Sequence, residues 1–383
     1  MNSAHATHAG AFLSIDLDAI CSNWCALSAR LNGTVCSAVV KADAYGLGAR
    51  RVGAALYAVG CRHFFVAHLS EGLDLRPALP ADATIYVLHG VPPGAEADCA
   101  AQGLVPVLNS RQQIDSWRAL AHALGQRLPA IVQVDSGMAR LGLSASELLQ
   151  LSDDPSALDG IHVAYVMSHL ACADEPTHPA NAAQLARFVA ARRLLPAAPA
   201  TLSNSSGIFL GSAFHFDLAR PGAALYGIAP VPGQANPMLP VVTLQAKVMQ
   251  TRTVEAGTSV GYGGHWVAPH TSRIATVSVG YADGYLRSLS NQGSAWLGAV
   301  ELPLVGRVSM DTITLDVTAL PDNAIRPGTL VDLLSPRHTV DDVAARAGTI
   351  GYEIVTSLGQ RYLLRYDGGA ASTTSQRWTT SSP

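Results

Sequence analysis

Residues 35–46 have the sequence VCSAVVKADAYG, and this stretch indicates the fold of the first half of the chain. Its apolar, β-branched part, 35–41, is typical of a buried strand. Seven similar runs follow, at 64–67, 84–88, 105–108, 130–134, 163–168, 201–203 and 223–226. Helical patterns separate most of these runs, most clearly at 49–58, 110–124, 144–151 and 180–195. Eight strands with intervening helices over about 220 residues predict a (β/α)8 barrel.

Two serines mark the starts of predicted helices. Ser110 and Ser144 stand where an N-cap is expected, and Gln113 and Glu147 follow three residues later as capping-box partners. The two helices are therefore expected to begin at these serines.

A doubly wound sheet is the competing fold for alternating strands and helices. Its dinucleotide fingerprint, G-x-G-x-x-G after the first strand, is absent from the sequence. The glycines at 46 and 48 are followed by one at 53, which is the wrong spacing. The barrel is therefore the favoured fold.

The sequence PVPG at 230–233 marks a domain boundary, because clustered proline and glycine end regular structure. Beyond it, strand-like runs follow one another between turns, at 242–254, 273–279, 295–300, 312–317 and 329–334. We therefore predict two domains, the barrel at 12–236 and a mostly-β domain at 237–366. The tail at 367–383 is rich in Gly, Ser and Thr and is expected to be disordered.

Composition excludes several classes of protein. The chain has 383 residues, of which 49% are hydrophobic and 14% charged, so it can bury a large core. Its 25 basic and 28 acidic residues give a net charge of -3, which argues against a nucleic-acid binder. No apolar run approaches the roughly 20 residues of a membrane helix. The first basic residue is Arg30, so we expect no signal peptide and a cytoplasmic protein.

The six cysteines all lie in the first half of the chain, at irregular spacing and without a C-x-x-C pair: Cys21, Cys25, Cys36, Cys61, Cys99 and Cys172. This usage is typical of free thiols in a reducing compartment. No metal site is expected, since the zinc motif H-E-x-x-H is absent.

Residues with functional chemistry follow several of the predicted strands. Lys41 ends the first strand, 135–140 follows the fifth, His169 follows the sixth, 203–207 follows the seventh, and 220–223 opens the eighth. In a (β/α)8 barrel, the carboxyl ends of the strands meet at one mouth. We therefore expect these residues to surround one site.

Lys41 emerges from an apolar strand, so its amine is partly desolvated and its pKa falls below the reference of about 10.4. Such an amine is suited to Schiff-base chemistry. The serines and glycines after the seventh strand and at the eighth are typical of a phosphate cradle in these barrels. A lysine combined with a phosphate cradle predicts pyridoxal 5'-phosphate as the cofactor.

The stretch 38–46 resembles the cofactor-lysine motif of the alanine racemases, which are pyridoxal-phosphate enzymes of fold type III. The resemblance continues in order through 134–142, 167–169, 203–205, 220–227, 261–263, 280–284, 305–311 and 351–353. Each match is short, but the ordered set extends from residue 12 to residue 366 and is specific. It implies a barrel followed by a β-rich domain, and the interconversion of L-alanine and D-alanine.

By this resemblance, Lys41 binds the cofactor covalently and is one of two catalytic bases, and Tyr262 is the other. Racemisation needs a base on each face, because a proton taken from one side returns from the other. In the family, this tyrosine comes from the partner subunit of a homodimer. The residues matching His169 and Arg220 assist it, since tyrosine at its reference pKa of about 10 is a poor base. Arg220 also faces the pyridine nitrogen and leaves it unprotonated.

The same resemblance assigns the remaining binding residues. It implies cofactor contacts for Tyr45, Asn204, Ser205, Tyr352 and the backbone amides of Gly222 and Ala223. Arg140 would bind the phenolic oxygen of the cofactor and the substrate carboxylate, and the amide of Met310 would help to bind the substrate. Tyr281, Arg287 and Arg307 would line the access channel.

Two positions depart from the family, and one of them, Gln133, affects the predicted site; the other, Leu47, stands where the family often has histidine, and we attach no functional consequence to it. Gln133 stands where many members have a lysine that is often carbamylated, and whose negative charge orients the arginine matching Arg140. A glutamine is neutral and cannot be carbamylated. Either its amide oxygen accepts a hydrogen bond from Arg140, or a bound anion supplies the charge.

Three alternatives differ in residues or in domains. Related amino-acid decarboxylases use a cysteine of the second domain, but no cysteine follows Cys172 here, and Tyr262 is present. A non-catalytic cofactor-binding protein would lack residues 237–366. A broad-specificity racemase would have the same residues and a larger pocket, and the sequence leaves it open. The sequence also leaves open whether D-alanine serves the cell wall or catabolism.

Overall fold

The structure of the chain is a computed structural model that describes residues 7–369. These residues form two compact units, one made of residues 19–239 and the other of residues 7–18 and 240–369. The first described strand is β1 (Ala11–Asp16), and the helix α1 (Leu17–Leu31) follows it.

The unit formed by residues 19–239 is a parallel β-barrel with helices between its strands. The strands are β2 (Val35–Cys36), β3 (Ala38–Val39), β4 (His63–Val66), β5 (Thr84–Val87), β6 (Val105–Leu108), β7 (Leu128–Gln133), β8 (Ile161–Met167), β9 (Ala200–Thr201) and β10 (Leu218–Ala219). The helices are α2 (Ala49–Ala58), α3 (Leu69–Leu75), α4 (Glu96–Ala101), α5 (Arg111–Leu124), α6 (Ala145–Ser152) and α7 (Pro179–Arg192). Apolar side chains from seven of these strands form one buried cluster: Val39, Phe65, Tyr86, Val105, Val107, Ile131, Met167 and Leu218.

The barrel closes through pairing between its last and first strands. Strands β3 to β9 form one parallel sheet in chain order, and β10 pairs in parallel with β2. Strands β2 and β3 are two parts of the first strand position, interrupted at Ser37, whose hydroxyl donates to the Ala219 carbonyl at 2.8 Å. A parallel bridge between Asn204 and Arg220 connects the last two strand positions. The predicted fold class is confirmed.

The eighth strand does not lie where the sequence predicted it. Residues Ala223–Tyr226 form a short 3-10 helix, and the strand is Leu218–Ala219 instead. All four residues of the 3-10 helix are buried, which explains their apolar character without a strand. A short apolar run does not by itself distinguish a strand from a buried turn.

The helix starts follow local capping chemistry. The Ser110 side chain accepts from the N–H of Gln113, and the Ser144 side chain accepts from the N–H of Glu147. Glu147 completes its capping box, whereas the Gln113 side chain accepts from the N–H of Asn109, one residue before the predicted position.

The second unit is mostly β, as predicted. Its further strands are β11 (Val242–Val254), β12 (Ser259–Val260), β13 (Trp266–Val267), β14 (Ser272–Val277), β15 (Ser294–Leu297), β16 (Val300–Pro303), β17 (Ile313–Asp316), β18 (Leu330–Leu334) and β19 (Leu363–Asp367). Its helices are α8 (Val340–Ala347) and α9 (Gly351–Ser357). The main sheet has the order β16-β15-β18-β11-β1-β19, and β14 extends it from β11 to β17.

The two ends of the described chain meet in this sheet. Strand β1 is antiparallel to β11 and parallel to β19, so it is part of the second unit, whereas the sequence analysis started the barrel at residue 12. Strand β19 ends at Asp367, and the N–H of Gly369 donates to Asp18 Oδ1 at 2.9 Å, so the first residues of the predicted disordered tail are paired. Residues 370–383 of that tail lie outside the described residues. Among residues 7–369, no helix is both long enough and apolar enough to cross a membrane.

A pair of glycine substitutions tests the packing of the second unit. Gly284 and Gly257 have φ of 85° and 84°, but a Cβ on Gly284 would lie 1.7 Å from the Ser357 carbonyl oxygen, whereas Gly257 has no neighbour within 4 Å. We expect Gly257→Ala to lower the free energy of unfolding by about 1–2 kcal/mol, from backbone strain alone. Gly284→Ala should lower it by about 1–3 kcal/mol more, from overpacking. Urea unfolding measures both, and equal losses would contradict the contact.

Candidate active site

The segment Lys41–Gly46, which follows β3, has an unusual backbone. It forms one helical turn in which φ lies between 52° and 58° at Ala42, Asp43, Ala44 and Tyr45. These values belong to the left-handed region, which costs a residue with a Cβ roughly 1–2 kcal/mol. Because none of these four residues is glycine, contacts with the surroundings must hold the turn.

Two carboxylates provide such contacts. The Asp43 backbone carbonyl accepts from the N–H of Gly48 at 2.8 Å, and its side-chain Oδ1 accepts from the N–H of Ala49 at 2.7 Å. Glu71, from α3, accepts from the N–H of Ala42 at 2.8 Å. The turn that carries Lys41 is therefore fixed both from within and from the neighbouring helix.

The electrostatic surroundings of Lys41 oppose its protonation. Burial lowers the pKa of its amine, and the positive charge of Arg140 lowers it further, whereas the negative charge of Glu71 raises it. The net direction is downward, as expected for an amine at the end of an apolar strand.

Hydroxyl and backbone groups form a cradle beside this turn. Ser205 Oγ accepts from the N–H of Gly222 at 2.9 Å and from the N–H of Ala224 at 3.2 Å. A Cβ on Gly222 would lie 2.5 Å from the Tyr45 hydroxyl, so glycine is needed for Tyr45 to occupy its position. Within residues 7–369, the N–H of Ala223 donates to no acceptor. This N–H and the neighbouring hydroxyls are donors of the kind that bind phosphate.

Two further contacts shape the cradle. The ring of Tyr226 packs against Tyr45, with 4.6 Å between the ring centroids, and its hydroxyl donates to the Val39 carbonyl at 2.9 Å. The Asn204 side-chain oxygen accepts from the N–H of Gly207 at 2.9 Å, which orders the segment before Ser205.

Arg220 is buried, with 3% of its surface exposed. Its guanidinium donates to the carbonyl of Ser168 at 2.8 Å, to the carbonyl of Leu202 at 3.3 Å and to the hydroxyl of Thr201. The guanidinium also lies 3.3 Å from Nδ1 of His169.

Burial determines the protonation states of Arg220 and His169. Burial lowers the pKa of Arg220 to about 9, and burial together with the positive charge of Arg220 lowers the pKa of His169 to about 3. At neutral pH the guanidinium is therefore charged and the imidazole neutral, so that Nδ1 of His169 accepts from Arg220. No carboxylate in the described part of the chain pairs with Arg220.

Arg140 lies on an exposed loop that Asp135 organises. The Asp135 carboxylate accepts from the N–H groups of Gly137 at 2.8 Å, Met138 at 2.9 Å and Ala139 at 3.0 Å. The Arg140 side chain is exposed and forms no hydrogen bond with residues 7–369.

Gln133, by contrast, is buried, with 7% of its surface exposed. Its side-chain nitrogen donates to the Leu141 carbonyl at 3.1 Å, and no hydrogen bond joins it to Arg140 in the described structure. Of the two predicted arrangements, the direct Gln133–Arg140 contact is therefore not formed. The bound anion stays a prediction.

Three of the site residues predicted from the sequence lie in the second unit. Tyr262 is 72% exposed and stands in a turn with three glycines at positive φ: Gly261, Gly263 and Gly264. Met310 is 53% exposed, and Tyr352 is half-buried on α9. The predicted channel residues Tyr281, Arg287 and Arg307 are in this unit as well.

The buried carboxylate of Asp283 connects the loop that carries Tyr281 with the loop that carries Met310. Asp283 accepts from the N–H of Gly280 at 2.8 Å and pairs with Arg361 at 2.7 Å, and Arg361 also pairs with Asp311 at 2.7 Å. The N–H of Tyr281 donates to the Ser309 carbonyl at 3.0 Å. Arg361 was not singled out from the sequence.

Two features of the barrel mouth were also not predicted from the sequence. Glu71 is the third residue of α3, and its carboxylate accepts from the N–H of the N-cap His68 at 3.2 Å. This capping role of Glu71 could have been predicted, because a polar residue followed three positions later by glutamate is typical of a helix start. His68 and His89 pack edge to face, with 4.7 Å between their ring centroids. No sequence spacing predicts that pair.

The fold and the site together define a class. A parallel barrel with a desolvated lysine at a strand end, a buried arginine and a hydroxyl and amide cradle has the groups that pyridoxal phosphate requires. The free N–H of Ala223 and the uncompensated charge of Arg220 fit an anionic cofactor.

Comparison with known proteins identifies the family within this class. Residues 15–230 match the model of the alanine racemase N-terminal domain, and residues 241–366 match that of the C-terminal domain. The chain therefore belongs to the alanine racemase family.

Individual relatives agree with this assignment. The catabolic alanine racemase of Mesorhizobium japonicum is 57% identical over 94% of each chain, and the alanine racemase of Brucella canis is 52% identical over 96% of each. The crystal structure of the alanine racemase from Bartonella henselae, with covalently bound pyridoxal phosphate, is similar at a TM-score of 0.91 and 43% identity. That match covers 94% of this chain and all of the other.

Replacement of His169 tests the effect of burial on its pKa. Between the unfolded pKa of about 6.5 and the folded pKa of about 3, only the unfolded chain binds the proton. Stability from the neutral imidazole is therefore complete above pH 6.5 and lost as the pH falls. We expect His169→Gln to reduce the slope of unfolding free energy against pH by up to about 1.4 kcal/mol per unit between pH 6 and 4.

Urea unfolding of the cofactor-free protein at several pH values measures this slope. His162→Gln, at an exposed position of β8, controls for the loss of an imidazole. Equal slopes for wild type and His169→Gln would contradict the neutral, buried histidine.

Proposed function

We propose that the chain interconverts L-alanine and D-alanine with pyridoxal phosphate, using Lys41 and Tyr262 as the two bases. The observation that carries this proposal is Lys41, which is half-buried, has a lowered pKa and begins the turn whose Tyr45 meets Gly222 in the cradle of Ser205, Gly222 and Ala223. Membership of the alanine racemase family supports the reaction class.

Several residues would hold the cofactor, each at a different part of it. Ser205, Tyr45 and the free N–H of Ala223 would bind the phosphate, with Asn204 in a supporting position; a contact from Tyr352, which lies in the second unit, stays a prediction of the family resemblance. The N–H of Gly222 already donates to Ser205, so it would contribute by orienting that hydroxyl. Arg220 would face the pyridine nitrogen as a permanent cation. When bound, pyridoxal phosphate supplies an electron sink that acidifies the α-hydrogen of the amino acid.

Lys41 and Tyr262 would move the proton. Lys41 with its lowered pKa acts as the base towards D-alanine, and the Tyr262 hydroxyl acts towards L-alanine from the opposite face. The neutral His169 and the charged Arg220 would assist the tyrosine, and Arg140 with the N–H of Met310 would orient the substrate carboxylate.

A homodimer follows from this division of roles. Tyr262 is 72% exposed and forms no hydrogen bond within residues 7–369, so its hydroxyl is available to a second chain. We infer that each site combines Lys41 of one chain with Tyr262 of the other in a closed two-fold dimer. The six cysteines, none of which forms a disulfide, support the expectation of a cytoplasmic enzyme.

Isotope exchange tests the two faces separately. Lys41→Ala should lose the cofactor adduct that borohydride traps on Lys41. Tyr262→Phe should keep that adduct and lose racemisation, while it still exchanges the α-hydrogen of D-alanine with solvent deuterium, because only one base is removed. Mass spectrometry of both enantiomers measures the exchange. Equal loss from the two enantiomers would show that Tyr262 does not serve one face.

Subunit mixing tests the shared site. Lys41→Ala and Tyr262→Phe homodimers should each be nearly inactive. Refolding the two variants together produces heterodimers in which one site has both bases and the other has neither. Racemisation should return to about a quarter of the wild-type rate, from half of the dimers having one intact site. No recovery, with heterodimers confirmed by native mass spectrometry, would exclude a site shared between chains.

A further inference from the structure

The Glu71 carboxylate connects the ends of two neighbouring barrel strands. Its Oε1 accepts from the N–H of Ala42, directly after Lys41, at 2.8 Å. Its Oε2 accepts from the N–H of Ala67 at 2.6 Å and from the N–H of His68 at 3.2 Å, both directly after β4. Each carboxylate oxygen therefore accepts hydrogen bonds from a different strand end.

The Glu71 carboxylate contacts the left-handed turn at the first residue of that turn. Ala42 is the first of the four consecutive residues at positive φ, and Glu71 is the side chain from outside the turn that accepts its N–H. Two further hydrogen bonds, from the N–H groups of Gly48 and Ala49 to Asp43, hold the turn towards its far end. The residue before Lys41 is held separately, since the N–H of Val40 donates to the Phe65 carbonyl at 2.8 Å. Without Glu71, the N–H of Ala42, directly after Lys41, would lose its acceptor on the neighbouring helix.

The same carboxylate brings a charge to the lysine. Three groups from other elements interact electrostatically with Lys41 as cations or polar rings: Arg140 after β7, His89 after β5 and His169 after β8. Glu71 is, among residues 7–369, the one anionic group found to raise the pKa of Lys41. Its charge therefore opposes that of Arg140 across the amine.

We propose that Glu71 is a positioning residue for the cofactor lysine, which holds the left-handed turn against the end of β4 and keeps a negative charge beside the Lys41 amine. This inference rests on the proposed role of Lys41. The carboxylate does not contact the reacting atoms; it acts through the backbone of Ala42 and through its charge.

Three variants distinguish the effect of the Glu71 hydrogen bonds from the effect of its negative charge. Glu71→Gln removes the charge and retains one acceptor oxygen, so it can hold only one of the two strand ends. Glu71→Asp keeps the charge on a shorter side chain that cannot reach both ends. Asp74→Asn is the matched control, because Asp74 is an exposed acid on the same helix and its side chain does not contact either strand end.

The first measurement is amide hydrogen exchange of the cofactor-free protein. In Glu71→Gln and Glu71→Asp, the peptide that covers 42–46 should exchange at least tenfold faster, while peptides of β6 and β7 exchange as in wild type. Asp74→Asn should match wild type throughout. Unchanged exchange at 42–46 in both Glu71 variants would overturn the role of these hydrogen bonds. If Glu71→Gln fails to fold, Glu71→Asp against Asp74→Asn decides the same question.

The second measurement is the pH dependence of cofactor attachment. The rate at which pyridoxal phosphate attaches to the cofactor-free protein is followed by visible absorbance across pH, and borohydride reduction with peptide mapping locates the lysine. Loss of the negative charge lowers the pKa of the amine, so the midpoint for Glu71→Gln should move to lower pH, and the midpoint for Asp74→Asn should not. The midpoint for Glu71→Asp should lie closer to that of wild type.

The outcomes separate this inference from the proposed function. Attachment of the wild-type protein through a lysine other than Lys41 would overturn both. Attachment at Lys41, with the same midpoint and the same exchange in Glu71→Gln, Glu71→Asp and Asp74→Asn, would overturn only the role of Glu71. Faster exchange at 42–46 without a shifted midpoint would overturn the role of the charge.

Discussion

The pairing of β10 with β2 is the constraint on which the site depends. Leu218 pairs with Val35 and Ala219 with Cys36, and the N–H of Val39 donates to the Pro221 carbonyl at 2.9 Å. This register places the residues after β10 beside the residues after β3, although they are far apart in the sequence. The contact between Gly222 and Tyr45 follows from it, because a shift of the register would separate the cradle from the turn of Lys41.

The charges of the barrel mouth follow from what the closed barrel buries. Arg220 is enclosed by neutral acceptors, namely two carbonyls, a hydroxyl and an imidazole, and no carboxylate neutralises it. A buried charge that is fully hydrogen-bonded but unpaired is stabilised by an anion more than by any neutral ligand. Lys41 and Arg140 add positive charge at the same mouth, and the free N–H of Ala223 adds a donor. The buried charge of Arg220 and the free N–H of Ala223 therefore favour an anionic ligand at this mouth.

Much of this arrangement could be predicted from the sequence, and the exceptions share one cause. The strands, most helix starts and the residues after each strand follow from local patterns, since burial and capping act over a few residues. The eighth strand was misplaced because Ala223–Tyr226 is buried by neighbours distant in the sequence. The strand β1 was not predicted, and its residues were included in the barrel at 12–236, because its partners, β11 and β19, lie more than 200 residues away. Arg361 was missed for the same reason, as its partners are defined only by the fold. The capping position of Glu71 is local, but its hydrogen bond from Ala42 is likewise defined only by the fold.

The second unit shows how an exposed side chain can be held by a rigid backbone. The turn around Tyr262 has three glycines at positive φ, and a Cβ on Gly306 would lie 2.8 Å from the Val260 carbonyl oxygen, so the strand before the turn packs closely on its neighbour. The ring of Tyr262, two residues after Val260, is 72% exposed. An aromatic side chain gains nothing from that exposure by itself. This exposure is consistent with the proposed function, in which the Tyr262 hydroxyl would act on the site of a second chain.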